Sequence, residues 1–268
     1  RYWNSKVWKA HNEILTAQTH YSDNNNEVII TLKVNVRSFA IEQAWVEKYR
    51  NKPAFSEMKT IEGVRGLVAY IEHGAQFRKV LTQNQEDAVT IEVFNDTVRA
   101  LIQAETFLTR ERGFTSMQEY STYWEKVYAN TCKYYSHLDK IKVTWDAYAD
   151  NLQRGNILYN RFKNQQLFAE GQNNYSISGT LLDQFHNMSI FLSVGKADKR
   201  VIKAEVNMIQ VPDSICKDAA WEVNNLLGHD IGNLNKKTVA RLLGEKEGCV
   251  HLIDLASESI ETLNQYLS

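Results

Sequence analysis

"MSIFLSVGKADKRVIKAEVNMIQVP", residues 188–212, contains the pattern that decides the fold of this chain. Ile190, Leu192 and Val194 alternate with polar residues, and a short polar turn and a second strand-like stretch follow before Pro212. Alternation with a period of two is typical of a strand with one buried face, and proline is suited to the end of a strand. The segment therefore predicts a hairpin of two antiparallel strands.

A second segment, "VIITLKVNVRSFAIEQAWVEKYRNKP" at 28–53, repeats this order. Leu32 and Val34 belong to the same alternation, and the segment ends on Pro53 as the other ends on Pro212. The chain has two prolines, and they fall at matching places. We expect a second hairpin here.

Amphipathic helical patterns follow both hairpins, "VRALIQAETFL" at 98–108 and "VHLIDLASESI" at 250–260. The offset between the copies changes from 160 residues at Ala44 and Ala204 to 151 residues at these helices, and surface loops tolerate such changes in length. The shared order predicts two pseudo-repeated units of antiparallel strands followed by helices. We therefore expect an α+β protein.

The segment between the copies is predicted to be helical and rich in aromatic residues. A capping box at 116–119 begins one helix that continues to about residue 151, and a second helix is predicted at about 157–168. The predicted domains are a degenerate N-terminal α+β unit, a helical connector and a C-terminal α+β unit with a candidate metal site, at 1–112, 113–170 and 171–268.

Composition excludes several classes of partner. The chain of 268 residues is 43% hydrophobic and has a formal net charge of −1, without a run of Lys or Arg. We expect neither a nucleic acid nor a membrane partner, because both would require a basic patch or an apolar stretch of about 18 residues. Three cysteines do not make a disulfide framework, so the sequence predicts a soluble, cytoplasmic protein.

Four residues in the second copy could bind a metal ion. His186 precedes a predicted strand, Cys216 follows the second strand, and Cys249 and His251 open the last helix. Strand starts and helix N-termini can meet at one end of an α+β layer. Two thiols and two imidazoles suit Zn²⁺, and an iron centre also accepts thiolates.

The geometry of a helix constrains this hypothesis. Residues two apart on a helix point about 200° apart, so Cys249 and His251 can bind one ion only if Cys249 lies at or before the N-cap. Gly248 permits that position, where the helix dipole would favour the thiolate.

Other uses of these residues stay open. A free cysteine often behaves as a small buried apolar residue, and His251 could serve as a local hydrogen-bonding group. Cys249 could also act as a nucleophile with His251 as base and Asp254 as its orienting group. Cys132 and His137 are five residues apart on a predicted helix, and we interpret both as structural.

The C-terminal hundred residues resemble a bacterial domain family of unknown function. That family has His-Asp-Met at a strand start, Pro-x-x-x-Cys and a closing Gly-Cys-x-His-Leu. The corresponding stretches here are "HNM" at 186–188, "PDSIC" at 212–216 and "GCVHL" at 248–252, with Asn187 in place of the acidic residue.

The order of elements is also distantly similar to that of NifU/IscU-type iron–sulfur scaffold proteins. In that comparison Cys216 takes the place of the central scaffold cysteine, Cys249 the place of the cysteine that heads the last helix, and His186 lies near the first cysteine–aspartate position. The resemblance implies a metal site, with Zn or Fe, including an iron–sulfur centre, as its cofactor.

Three functions are consistent with the sequence. The first is a metal-binding accessory protein whose site lies in the C-terminal unit. The alternative is a non-catalytic assembly or interaction protein, with a protein partner or a second copy of the chain as its ligand. The third is an enzyme that uses the cysteine or the metal.

Overall fold

A computed structural model describes residues 1–11, 13–49 and 57–267 of the chain. It is mixed α+β, with antiparallel strands and packed helices, as the sequence predicts. The chain forms two compact units. Unit 1 contains residues 1–120 and 152–162, and unit 2 contains residues 121–151 and 163–268. The units thus interleave along the chain, whereas the sequence predicted three consecutive segments.

Unit 1 has an antiparallel meander with the order β5-β4-β3-β2-β1, and the first part of β6 follows next to β1. Helices α1 and α2 come after the strands, and α3 begins at the end of this part of the unit. The bounds are β1 Tyr2–Lys9, β2 Ile14–Ser22, β3 Glu27–Asn35, β4 Ile41–Lys48, β5 Glu57–Thr60, β6 Ile157–Glu170, α1 Gly74–Gln83, α2 Ala88–Ala104 and α3 Met117–Val127.

Unit 2 has the strand order β6-β7-β8-β9, from the second part of β6 onward. Its further elements are α4 Lys133–Ser136, α5 Trp145–Ala149, β7 Asn174–Leu182, β8 Asn187–Gly195, β9 Val201–Gln210, α6 Lys236–Leu242 and α7 Val250–Leu267. Short 3₁₀ segments lie at Ser214–Leu226, Ile231–Asn233 and Glu245–Glu247.

Both predicted hairpins are present, as β3–β4 and β8–β9. Ile190, Leu192 and Val194 are buried in the core of unit 2, where Leu252 and Leu255 of α7 belong to the same cluster. The alternation therefore marked the buried face correctly. Pro53 lies outside the described residues, and β9 ends two residues before the other proline.

The predicted helix at 157–168 is wrong, because this segment forms β6. Lys163 and Gln165 are buried on one face of the strand, where Lys163 pairs with Glu258 and the Oε1 atom of Gln165 accepts from Ser259 Oγ at 2.7 Å. Both partners, Glu258 and Ser259, lie on α7. Contacts with this distant part of the sequence therefore override the helix-like spacing of apolar residues at 157–168.

The long helix predicted from 116 to about 151 is broken into α3, α4 and α5. Asn130 has a positive φ of 59°, which ends regular helix geometry soon after α3. Cys132 and Thr144 are extended N-cap residues before α4 and α5. One half of the capping box is present, since Ser116 Oγ accepts from the backbone N–H of Glu119 at 3.1 Å. The Glu119 carboxylate accepts from the backbone N–H of Thr115, at 2.7 Å, instead of that of Ser116.

The amphipathic segments at 98–108 and 250–260 are helical, as expected. The first covers the end of α2 and the 3₁₀ turn Glu105–Phe107, and the second is part of α7. In the described part of the chain, no helix combines the length and apolar character that crossing a bilayer requires.

Candidate metal centre

His186 lies at the end of a tight turn between β7 and β8. The Oδ1 atom of Asp183 accepts the backbone N–H groups of Phe185 and His186, each at 2.8 Å. The backbone N–H of Asp183 in turn donates to the carbonyl of His186 at 2.8 Å. An Asp side chain commonly builds a turn of this type. The turn fixes the backbone from which the imidazole projects.

The same carboxylate orients the ring of His186. Its Nδ1 atom lies 3.2 Å from Asp183 Oδ1, and the Asp183 side chain is fully buried. A carboxylate only accepts, so this contact favours the tautomer with the proton on Nδ1 and the lone pair on Nε2. Histidines that bind metal ions usually have such a supporting carboxylate or carbonyl.

His251 lies beside His186, as the sequence predicts. The two ring centroids are 3.9 Å apart, with an angle of 37° between the ring planes. His251 is the second residue of α7, which brings the start of that helix against the β7–β8 turn. Two of the four predicted ligands therefore meet.

Cys249 occupies the position that the geometric constraint requires. It directly precedes α7, and its carbonyl accepts from the N–H of Ile253 at 2.9 Å. The backbone N–H groups of His251 and Leu252 lie near its thiol and act to lower the pKa of that thiol. Gly248 is needed before it, because a Cβ there would overlap the carbonyl oxygen of Leu243.

Cys216 lies in the first turn of the 3₁₀ segment Ser214–Leu226. Asp213 caps this segment, with its Oδ1 atom accepting from the N–H of Ile215 at 2.9 Å. Its Oδ2 atom accepts from the N–H groups of Lys142 and Val143 at 2.7 and 2.8 Å. The start of the 3₁₀ segment is thus fastened to the loop before α5.

Burial controls the ionisation of the thiols. It raises the pKa of Cys216 to about 12 and the pKa of Cys249 to about 11. The nearby Cys249 and Cys132 thiols further raise the pKa of Cys216, whereas backbone N–H groups lower that of Cys249 only in part. The backbone N–H groups at the start of α7 thus act in the expected direction on Cys249, but desolvation outweighs them and the pKa of the thiol is raised overall.

Tyr148 lies near both the β7–β8 turn that carries His186 and the thiol of Cys216. Its hydroxyl donates to the carbonyl of Phe185 at 3.1 Å and accepts from Gln210 Nε2 at 3.2 Å. Burial raises the pKa of Tyr148, and the nearby Asp183 carboxylate and Cys216 thiol raise it further. Cys216 and the turn at Asp183 therefore both lie near this ring.

Cys132 lies close to Cys249, although the sequence reasoning interpreted it as structural. The backbone N–H of the next residue, Lys133, donates to the carbonyl of Gly248 at 2.8 Å. The two cysteines thus flank one hydrogen bond between distant segments. His137, the other residue interpreted as structural, pairs with Glu247 at 2.6 Å.

The donor atoms do not yet form a closed shell. Within the described residues, no three of the side chains of Cys132, His186, Cys216, Cys249 and His251 bring their donor atoms within 4.8 Å of one another. The structure brings His186 and His251 into ring contact and packs α4, which follows Cys132, against the 3₁₀ segments that contain Cys216 and precede Cys249.

Sequence reasoning also missed Asp183. The signal was present, because Asp-x-x-His at 183–186 corresponds to Asp-x-x-Asn at 23–26 before the other hairpin. The sequence contained only a weak indication that Cys132 belongs with the candidate ligands. It was the fact that the chain has three cysteines, two of which were already candidates.

Residues 169–265 match a family model described as "Protein of unknown function (DUF2889)". This supports the expected resemblance to an uncharacterised family over about a third of the chain. The match includes all four predicted ligands and Asp183, and it excludes Cys132. No curated protein and no solved structure matched the chain.

Proposed function

We propose that this chain is a metal-binding accessory protein whose unit 2 holds one thiophilic ion. The donors are thiolates and imidazoles from the predicted set His186, Cys216, Cys249 and His251. The observation that carries the proposal is that the start of α7, which holds Cys249 and His251, lies against His186 at the β7–β8 turn. Donors that are distant in sequence meet there at the start of one helix.

The chemistry of the donors favours Zn²⁺ or iron, including an iron–sulfur centre. Thiolate and imidazole ligands suit these metals, whereas Mg²⁺ and Ca²⁺ prefer oxygen. The buried Asp183 supports this reading, because a carboxylate on Nδ1 directs Nε2 of His186 towards a ligand.

An internal duplication supplies a comparison for the site, and we propose that unit 1 and unit 2 are copies. In β3–β4 the register shifts at Val34, and in β8–β9 it shifts at Val194. Phe39 and Lys199 both have a positive φ, 57° and 54°, at the same place in the two turns. Each of these pairs is 160 residues apart.

The long helices support an offset of 162 residues instead of the 151 expected from the sequence. Thr97 Oγ1 donates to the carbonyl of Val93 at 2.8 Å, and Ser259 Oγ donates to that of Leu255 at 2.9 Å. Both hydroxyls are buried at the same position in their helix. A nearly constant offset across strands and helices favours duplication over coincidence.

The turn that precedes each hairpin, between β2 and β3 in unit 1 and between β7 and β8 in unit 2, has the same architecture in both units. Asp23 Oδ1 accepts from the backbone N–H of Asn26 at 2.6 Å and from its side-chain amide at 3.2 Å. Asp183 makes the same contacts with His186. Unit 1 therefore builds this turn with an amide, and the imidazole is an addition that the turn does not need.

The residues at the starts of the long helices α2 and α7 also differ between the two units. Asp87 caps α2 by accepting from the N–H of Thr90 at 2.7 Å, where unit 2 has Cys249. Val89 takes the place of His251. In unit 1, a standard cap and an apolar residue are sufficient for the start of this helix to fold. The thiol and imidazole at the corresponding positions of unit 2 therefore favour a function beyond folding.

The loss of these donors in unit 1 also favours a second candidate, a non-catalytic assembly protein. Such a protein would use the duplicated scaffold to bind a protein partner or a second copy of the chain. It would remain folded and fully competent without a metal ion.

Elemental analysis of the purified chain tests the proposal. We expect about one Zn or iron per chain, with a visible absorption band if the iron is in a cluster, and loss of the metal in Cys216→Ser and Cys249→Ser. His229→Asn is the matched control, because His229 is an exposed imidazole of unit 2 outside the site. A folded wild-type chain that neither contains a metal nor takes up Zn²⁺ or Fe²⁺ would exclude the metal function and leave the assembly function.

A further inference from the structure

The start of α4 lies between the two elements that carry the predicted cysteine ligands. α4 packs against the 3₁₀ segment that contains Cys216, and it also packs against the 3₁₀ segment Glu245–Glu247 that precedes Cys249. Cys132 is the residue that directly precedes α4. The third thiol of the chain thus stands where the other two elements meet.

Specific hydrogen bonds hold this arrangement. Besides the bond from Lys133 to Gly248, Ser136 Oγ donates to the carbonyl of Lys246 at 2.9 Å. On the other side, Asp213 binds the backbone of the loop that follows α4. These contacts fix the segment that carries Cys132 against both partner segments.

The surroundings of the Cys132 sulfur suit a ligand. The thiols of Cys132 and Cys249 both lie near enough to Cys216 to raise the pKa of that thiol, and the Cys132 thiol also raises the pKa of Cys249. Together with the packing of α4, this places the three sulfurs in one neighbourhood.

The contact between the His186 and His251 rings bears on whether both imidazoles can bind the same ion. An imidazole binds a metal through a nitrogen lone pair in its ring plane, and one tetrahedral ion takes four ligands. The two rings lie against each other at a tilt, with centroids 3.9 Å apart and planes at 37°. This close contact leaves little room for one ion between their nitrogen atoms. His186 has the Asp183 support on Nδ1, so it is the better ligand of the pair.

We propose that the ion is held by Cys132, Cys216, Cys249 and His186, and that His251 packs against His186 as a positioning residue. This inference rests on the proposed function and changes its ligand set from two thiolates and two imidazoles to three thiolates and one imidazole. The site then selects thiophilic cations more strongly.

The number of protons released on binding distinguishes the two ligand sets. Each thiol loses a proton when it binds Zn²⁺, whereas an imidazole is already neutral near pH 7.5. Titration of the chelator-treated full chain with Zn²⁺ in buffers of different ionisation enthalpy measures this number. We expect about three protons per ion for the proposed set, and the set with His251 gives about two.

Two variants complete the test. Cys132→Ser should weaken Zn²⁺ binding by more than about 100-fold, beyond what the loss of a supporting hydrogen bond produces. His251→Phe keeps a ring against His186 without a donor nitrogen, and it should retain the ion and release about three protons. The proton count of the wild type decides the question even if a variant fails to fold.

The outcomes separate the inference from the proposed function. Release of about two protons, with full binding in Cys132→Ser and loss in His251→Phe, overturns the inference and leaves the metal function intact. Failure of the wild-type chain to bind Zn²⁺ at all overturns both.

Discussion

The Nδ1 atom of His186 lies 3.2 Å from Oδ1 of Asp183, and that same oxygen accepts the backbone N–H groups of the turn. One buried carboxylate therefore shapes the backbone and orients the ring. Asp23 shapes the corresponding turn of unit 1 without an imidazole. Both units have this turn, whereas the imidazole that the carboxylate orients belongs to unit 2.

Replacing Asp183 by Asn should separate these two roles. The amide oxygen can still accept the backbone N–H groups, so the turn persists, but the negative charge behind Nδ1 is lost. We expect Zn²⁺ affinity to fall about 10- to 100-fold. Competition with a chromophoric chelator measures the affinity, and far-UV circular dichroism checks the fold. Unchanged affinity would show that the carboxylate serves the turn alone.

His186→Asn converts the turn of unit 2 into the turn of unit 1. The new amide can reach Asp183 as Asn26 reaches Asp23, so we expect the free energy of unfolding of the ion-free protein to change by less than about 1 kcal/mol. Metal content should fall to that of the cysteine variants. Urea denaturation and elemental analysis on the same samples test both statements. A large loss of stability with metal retained would make His186 a structural residue.

The hairpins could be predicted because their signal is local. Alternation along Ile190, Leu192 and Val194 reflects burial on one face of a strand, whatever the rest of the chain does. β6 could not be predicted in this way. Its buried Lys163 and Gln165 are compatible with a strand only because α7 supplies their partners about 95 residues later.

The candidate site was predictable to the extent that its residues lie at element boundaries. His186 and Cys249 stand at a strand start and a helix start, and the fold brings those ends together. Cys132 was not predictable, because its neighbourhood depends on a backbone hydrogen bond between Lys133 and Gly248. No local spacing reports such a contact between segments more than a hundred residues apart.

The raised thiol pKa values predict a pH dependence of stability for the ion-free protein. Cys216 and Cys249 have folded pKa values of about 12 and about 11, above the ordinary thiol value. The folded state therefore binds these protons more tightly than the unfolded state does. The resulting stabilisation is complete below about pH 8.5 and is lost as pH rises through the folded pKa values.

Urea denaturation at about pH 8 and about pH 10 measures this loss, and Cys216→Ser should reduce it. Tyr134 and Tyr148, whose pKa values burial also raises, act in the same direction, so the difference between wild type and variant isolates the thiol. Bound Zn²⁺ should remove the thiol contribution, because coordinated sulfurs have already lost their protons. A wild type and a Cys216→Ser variant with equal pH dependence would contradict the assignment of a raised pKa.

The buried pair of Lys163 and Glu258 predicts how β6 is held to α7 in unit 2. Both side chains are largely excluded from solvent, at 6% and 11% exposure. Lys163→Met leaves the Glu258 carboxylate without its Lys163 partner in a desolvated place, and breaking such a pair costs about 3–5 kcal/mol. The double variant Lys163→Met/Glu258→Gln removes both charges, so much of this loss should be recovered. Urea denaturation of both single variants and the double variant gives the coupling energy. If Lys163→Met alone costs less than about 1 kcal/mol, the pair does not hold β6 as a strand, and the apolar residues of β6 must hold it instead.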